Sequence, residues 1–183
     1  MTDGRPWYRE PETFIALTAL VVSVSAVVVG IYEAALQRRH DRAEVWPHLE
    51  LTTFTAPNGA SLSIENTGIG PALIKSVVVT LDGKPTRSWG ELLTSMLGRA
   101  PSAPFSNSTI AESAIRPGVK VTMLGLPTSD MPPEFWRSIH RVGVTICYSS
   151  VFDESWMMRD EGIGGRTRWE SVSTCPQQTD GEF

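Results

Sequence analysis

Cysteine and histidine are scarce in this chain: among its 183 residues there are only Cys147, Cys175, His40, His48 and His140. No two of the histidines lie at metal-ligand spacing and the cysteines stand apart, so the pattern of a zinc site is missing. Neither cysteine carries an activation pattern and no Gly-x-Ser-x-Gly elbow occurs, which removes the common nucleophile signatures. Two cysteines are a thin disulfide framework for a domain of this size, and the sequence alone leaves open whether they pair.

A basic excess is also lacking. The formal net charge is -4, and after Ala43 eleven Lys and Arg face fifteen Asp and Glu with the signs interspersed. That excludes the electrostatic footprint of a nucleic-acid binder. Asp153, Glu154, Asp160 and Glu161 cluster late in the chain but without the oxygen-ligand spacing of a calcium loop, so they read as a solvated turn.

The Gly-x-Gly of "ENTGIGPALIKSVVVTLDG" lacks a third glycine, lacks Gly-Lys-Ser or Gly-Lys-Thr, and runs into Pro71 and a β-branched strand rather than a helix. It therefore reads as a strand connection, with Asn66 capping the turn, Gly68 and Gly70 supplying positive φ, and Pro71 fixing one torsion. Catalytic, cofactor-binding and metal-ligating residues are thus all assigned as none, and the chain is read as non-enzymatic.

The most informative absence is charge between Phe14 and Ile31. "FIALTALVVSVSAVVVGI" is eighteen uncharged residues, which as a helix span roughly 27 Å, close to a bilayer core. It continues into "EAALQRRHDRAE" rather than a cleavage site, so the reading is a transmembrane helix with a stalk, not a removed signal peptide. Trp7 and Tyr8 on one side, Tyr32 and Trp46 on the other, are suited to the membrane interfaces. Arg5 and Arg9 precede the span whereas Arg38, Arg39 and Arg42 follow it, a bias that places the C-terminal domain in the cytoplasm. Ala19, Ser23, Ala26 and Gly30 recur at spacings of four, three and four, a stripe that permits close approach of a second helix in lipid. No histidine lies between Phe14 and Gln37, so the span offers no imidazole to a haem or chlorophyll, and it carries no intramembrane charge for transport.

After Pro47 the period changes from helical to alternating. "HLELTTFTA" and "SLSIEN" around "PNGA" predict a hairpin, and "ALIKSVVVTL" a third strand closed by "DGK". "STIAESAI" and "VKVTMLGL" around "RPG" predict another strand pair, and "RVGVTICYSSVF", "SWMMR" and "TRWESVSTC" three more strands. Seven or eight short strands make an antiparallel β-sandwich the expected fold. Two helices interrupt it. "SWGELLTSMLG" has Ser88 and Glu91 as a capping box, Gly98 as terminator and Trp89, Leu92, Leu93, Met96 and Leu97 on one face; "DMPPEFWRSIH" has Asp130 as cap and Phe135, Trp136 and Ile139 on one side. "RAPSAPFSNS" is expected to be an exposed loop. The boundaries predicted are an interfacial segment 1–12, span and stalk 13–46, sandwich 47–175 and a flexible tail 176–183.

The runs "SLSIENTGIGPALIKSVVVTLDGK" and "IRPGVKVTMLGL" resemble the immunoglobulin-like modules of bacterial surface and membrane proteins, among them the cell-adhesion-related bacterial domain. The order span, stalk and sandwich, with an aromatic "CYSSVFDESW" near the end, is also similar to a set of bacterial single-pass proteins. The resemblance covers about Pro47 to Cys175, rests on turn signatures, and implies an immunoglobulin-like fold rather than an activity. The expectation is an accessory or scaffolding subunit in the bacterial cytoplasmic membrane, in a photosynthetic or respiratory complex, with the bilayer and integral membrane subunits as partners. The alternative is a membrane-tethered ligand- or peptide-binding sensor or adhesion module.

Overall fold

A computed structural model describes residues 11–43, 45–131, 135, 138–178, 181 and 183. The chain forms two compact units, residues 1–43 and 44–183.

The first unit is helix α1, Pro11–Ala43. Proline at the first helical position and Glu12 in the first turn suit the start, where backbone N–H groups have no intrahelical acceptor. The apolar segment has a mean hydropathy of 2.6, and none of its window is buried. Two of its hydroxyls bond back to the helix: Thr18 Oγ1 donates to the carbonyls of Phe14 and Ile15 at 3.1 and 2.9 Å, and Ser25 Oγ donates to Val21 O at 2.8 Å. Such bonds leave fewer polar groups to be satisfied by the surroundings, as a bilayer interior demands. Trp7 and Tyr8, assigned above to the interface, lie outside the described residues.

The second unit is built from antiparallel strands β1 (Leu49–Ala56), β2 (Gly59–Asn66), β3 (Ala72–Leu81), β4 (Lys84–Pro85), β5 (Ser106–Asn107), β6 (Ala114–Ile115), β7 (Lys120–Pro127), β8 (Val142–Ser149), β9 (Ser155–Asp160) and β10 (Thr167–Val172). One sheet runs β1-β2-β7-β5 and the other β10-β9-β8-β3-β4, with β6 also paired to β3. Side chains alternate about each strand, and the inward set fuses into one core holding Leu49, Leu62, Ile64, Val77, Val79, Met123, Val144, Ile146, Tyr148 and Met158. Helix α2, Trp89–Leu97, adds Trp89, Leu92, Leu93 and Met96 to that core. Its start follows the expected logic: Ser88 Oγ accepts from Glu91 N at 3.2 Å and the Glu91 carboxylate accepts from Arg87 N at 2.8 Å, while Gly98 closes the helix at φ 67°.

The second expected helix is described only in part. Phe135 is buried, and a 3-10 turn covers Ile139–Arg141; Pro132, Pro133 and Trp136 lie outside the described residues.

Two expectations about how segments pair and pack fail. The runs around "RPG" do not pair with each other: β6 joins β3 in one sheet and β7 joins β2 in the other. The turn between them crosses the sandwich because Asn66 captures it, with Gly118 N donating to Asn66 O at 2.8 Å and Asn66 N donating to Val119 O at 3.1 Å. Nor is the segment after Cys175 a loose end. Phe183 is 1 % exposed, meets Trp89 edge-to-face at 5.0 Å, and its carbonyl accepts from Ala111 N at 3.1 Å. Gln178 is also bonded to β3.

Tyr148 gives the core a pH limit. Burial pushes its phenol up to about 12, with a backbone hydrogen bond from Leu49 working the other way. The neutral ring is thus favoured in the fold, so this stability is complete below the unfolded value near 10 and is lost as the pH rises towards 12. The loss amounts to about 2–3 kcal/mol. Urea unfolding at pH 9 and pH 11.5 is expected to show that decrease, and Tyr148→Phe to remove most of it.

Candidate functional site

Three surfaces carry the residues singled out from the sequence. The first is the small-residue face of α1. Advancing about 100° per residue, Ala19, Ser23, Ala26 and Gly30 fall within an arc of about 60°. All four are exposed, and a Cβ added at Gly30 would meet nothing within 4 Å. The face is flat and unobstructed, as close helix packing in lipid requires. Tyr32 is exposed on the same helix.

The second is the turn after β2. Asn66 is fully buried, and its amide satisfies four backbone groups. Oδ1 accepts from His48 N at 3.3 Å and Gly68 N at 3.1 Å, and Nδ2 donates to the carbonyls of Gly70 and Ile115, both at 2.8 Å. One side chain thereby ties the residue before β1, the turn and β6 together. Gly68 and Gly70 are not at positive φ; the glycines that are include Gly83, Gly98, Gly118 and Gly164. They are glycines because backbone passes too close for a side chain. A Cβ at Gly68 would lie 2.4 Å from His48 N, and one at Gly70 only 1.8 Å from Val45 O.

Packed beside this turn is a row of rings. Trp46 and His48 centroids are 5.0 Å apart, His48 and Trp169 4.8 Å, and Trp169 Nε1 donates to Leu49 O at 2.8 Å. Trp46 O also accepts from Ile69 N at 3.0 Å. Trp46, Ile69 and Trp169 remain 46 %, 63 % and 41 % exposed beside this turn, and Trp46 lies three residues past the end of α1 in sequence. Ile69 and Trp169 were not singled out in the sequence because their neighbours, Trp46 for one and His48 and Leu49 for the other, lie far away along the chain.

The third surface surrounds Cys147 and Cys175, which form a disulfide with Cα atoms 5.6 Å apart. Beside it runs a polar groove of about 610 Å³ whose walls include Lys75, Glu112, Ser149, Asp153, Cys175 and Gln178. Ser149 Oγ is buried without a hydrogen-bond partner. His140 does not line this groove; its Nδ1 lies 3.0 Å from Ile163 O. Asp160 is occupied in a turn: its carboxylate accepts from Gly162 N and the Thr167 hydroxyl, both at 3.0 Å. Among the described residues no group of three or more His, Cys, Asp or Glu is arranged to hold a metal ion. No protein-family model matches the chain, and no curated protein matches it.

Proposed function

We propose that this chain is a non-enzymatic, membrane-anchored accessory or scaffolding subunit of a larger bacterial membrane complex of the energy-transducing kind, photosynthetic or respiratory. The observation that carries the reading is α1 itself, a 33-residue helix with an uncharged apolar stretch and one face of small residues. Helices associate in lipid through close packing, and such a face suits a neighbouring integral subunit. The exposed side chains of Trp46, Ile69 and Trp169 suit the membrane interface, where amphipathic rings settle.

The strand order supports an immunoglobulin-like sandwich. β1-β2-β7-β5 against β9-β8-β3 follows the A-B-E-D and G-F-C order of that fold, with β10 added beyond G.

For the side of the membrane, the disulfide outweighs the arginines. Disulfides persist in oxidising compartments, whereas the arginine counts flanking the span differ only as two to three. We therefore place the sandwich on the extracytoplasmic face of the cytoplasmic membrane, opposite to the side that the arginines favour. Protease added to sealed right-side-out vesicles is expected to digest the sandwich; complete protection would return it to the cytoplasm. Purification from native membranes in mild detergent tests the subunit reading. Membrane subunits at fixed stoichiometry are expected alongside the chain, and a chain recovered alone would contradict it. The polar groove favours a second reading, a tethered sensor of a small polar ligand, in which the helix is only an anchor.

A further inference from the structure

Strand β3 is the edge of its sheet along most of its length, and its outward backbone groups are satisfied by several unrelated segments. Ile74 N donates to Ser113 O at 2.8 Å, and Val79 O accepts from Thr86 N at 2.9 Å. Between them, the backbone N–H and C=O of Val77 face away from β8, and among the described residues no strand pairs with them. Instead the Gln178 side chain imitates a strand's peptide unit: Val77 N donates to Oε1 at 2.7 Å and Nε2 donates to Val77 O at 3.3 Å. An open edge of this kind is what proteins cover to avoid unwanted pairing.

The cover is a strap that starts where β10 ends, at Val172. Cys147 lies opposite in alternation to the core residues Ile146 and Tyr148, so it faces away from the core. The strap is bonded to it there through Cys175 and reaches β3 through Gln178, and Phe183 lies against Trp89. Cys147 is 1 % exposed, whereas Cys175 is only partly buried and lines the groove together with Lys75. Lys75 has no ion-pair partner among the described residues. The two cysteines are therefore unequal: Cys147 is sealed, whereas Cys175 borders a groove from which a thiolate can approach.

We propose that the Cys147–Cys175 disulfide is a reduction site for a dithiol reductant, entered through this groove at Cys175, and that its opening frees the strap from the β3 edge. A reductant thiolate attacks Cys175 Sγ, forming a mixed disulfide as the Cys147–Cys175 bond breaks, and the Cys147 sulfur leaves and takes up a proton. The second thiol of the reductant attacks the mixed disulfide and releases Cys175 as a thiol. The reductant ends as its own disulfide, and the protein has gained two electrons and two protons. What is uncovered is a strand edge at Val77 and the ring of Trp89, a surface suited to an incoming strand.

Two measurements on the full chain in detergent micelles test this. After brief exposure to glutathione and trapping with an alkylating agent, the mixed disulfide is expected on Cys175 and the free thiol on Cys147; the reverse assignment overturns the route. After full reduction with dithiothreitol, amide exchange at Val77 and Ala111 is expected to rise about tenfold or more, while Leu62 and Val144 stay within about twofold. Unchanged protection at Val77 would mean that the strap holds without its bridge. Loss of protection throughout the sandwich would mean that the bridge only stabilises the fold. Either result overturns the proposal.

Discussion

Replacing Asn66 with alanine is expected to destabilise the sandwich by about 3–5 kcal/mol, among the largest effects of any single substitution in this chain. The amide serves two donors and two acceptors, His48 N, Gly68 N, Gly70 O and Ile115 O, in a site without solvent exposure. Each buried backbone group left without a partner costs about 1–3 kcal/mol, reduced where water can follow into the space vacated. Asn66→Asp is expected to cost at least as much, since the carboxylate keeps both acceptor bonds but sets a charged oxygen against the carbonyls of Gly70 and Ile115 in a site without solvent. Urea unfolding followed by tryptophan fluorescence measures this, with a shifted midpoint and an unchanged slope as the expected pattern. A shift smaller than about 1 kcal/mol would mean that the turn is held by its backbone bonds alone.

The same turn separates what the sequence made legible from what it did not. Local chemistry placed β3 at Ala72 to Leu81 and the hairpin of β1 and β2 around Pro57 and Asn58, because those turns are written in adjacent residues. Asp82 and Gly83, both at positive φ, end β3 as their types suggest. Gly68 and Gly70 were recognisable as obligatory glycines, but for the wrong reason. Their constraint comes from the backbone of Val45 to His48, which arrives from some twenty residues away. The pairing of β6 with β7 was misjudged because Pro117 and Gly118 resemble a hairpin turn, while the deciding bonds run to Asn66. The strap was invisible for the same reason: Gln178 and Val77 are 101 residues apart. An aromatic residue in an otherwise polar tail, Phe183, was the one local signal that the segment is packed rather than loose.

Of the surfaces proposed for function, the α1 face was fully legible, since a stripe on a helix depends only on spacing. Its consequence is the second large expected effect. Changing Ala19, Ser23, Ala26 and Gly30 together to leucine leaves the segment apolar and helical, so insertion in the membrane is retained. The four added side chains fill the face along which a neighbouring helix would approach, and van der Waals contact between backbones is lost. Association with integral membrane subunits is then expected to weaken about tenfold or more, equivalent to at least about 1.4 kcal/mol. The sandwich, a separate compact unit, is expected to keep its urea midpoint.

The most direct test is therefore a paired purification from native membranes in mild detergent, comparing the natural chain with the Ala19→Leu, Ser23→Leu, Ala26→Leu, Gly30→Leu variant at equal membrane levels. Membrane subunits that accompany the natural chain and are lost from the variant are the predicted result. Equal recovery of partners with both chains, or none with either, would contradict a subunit held in its complex by this helix face.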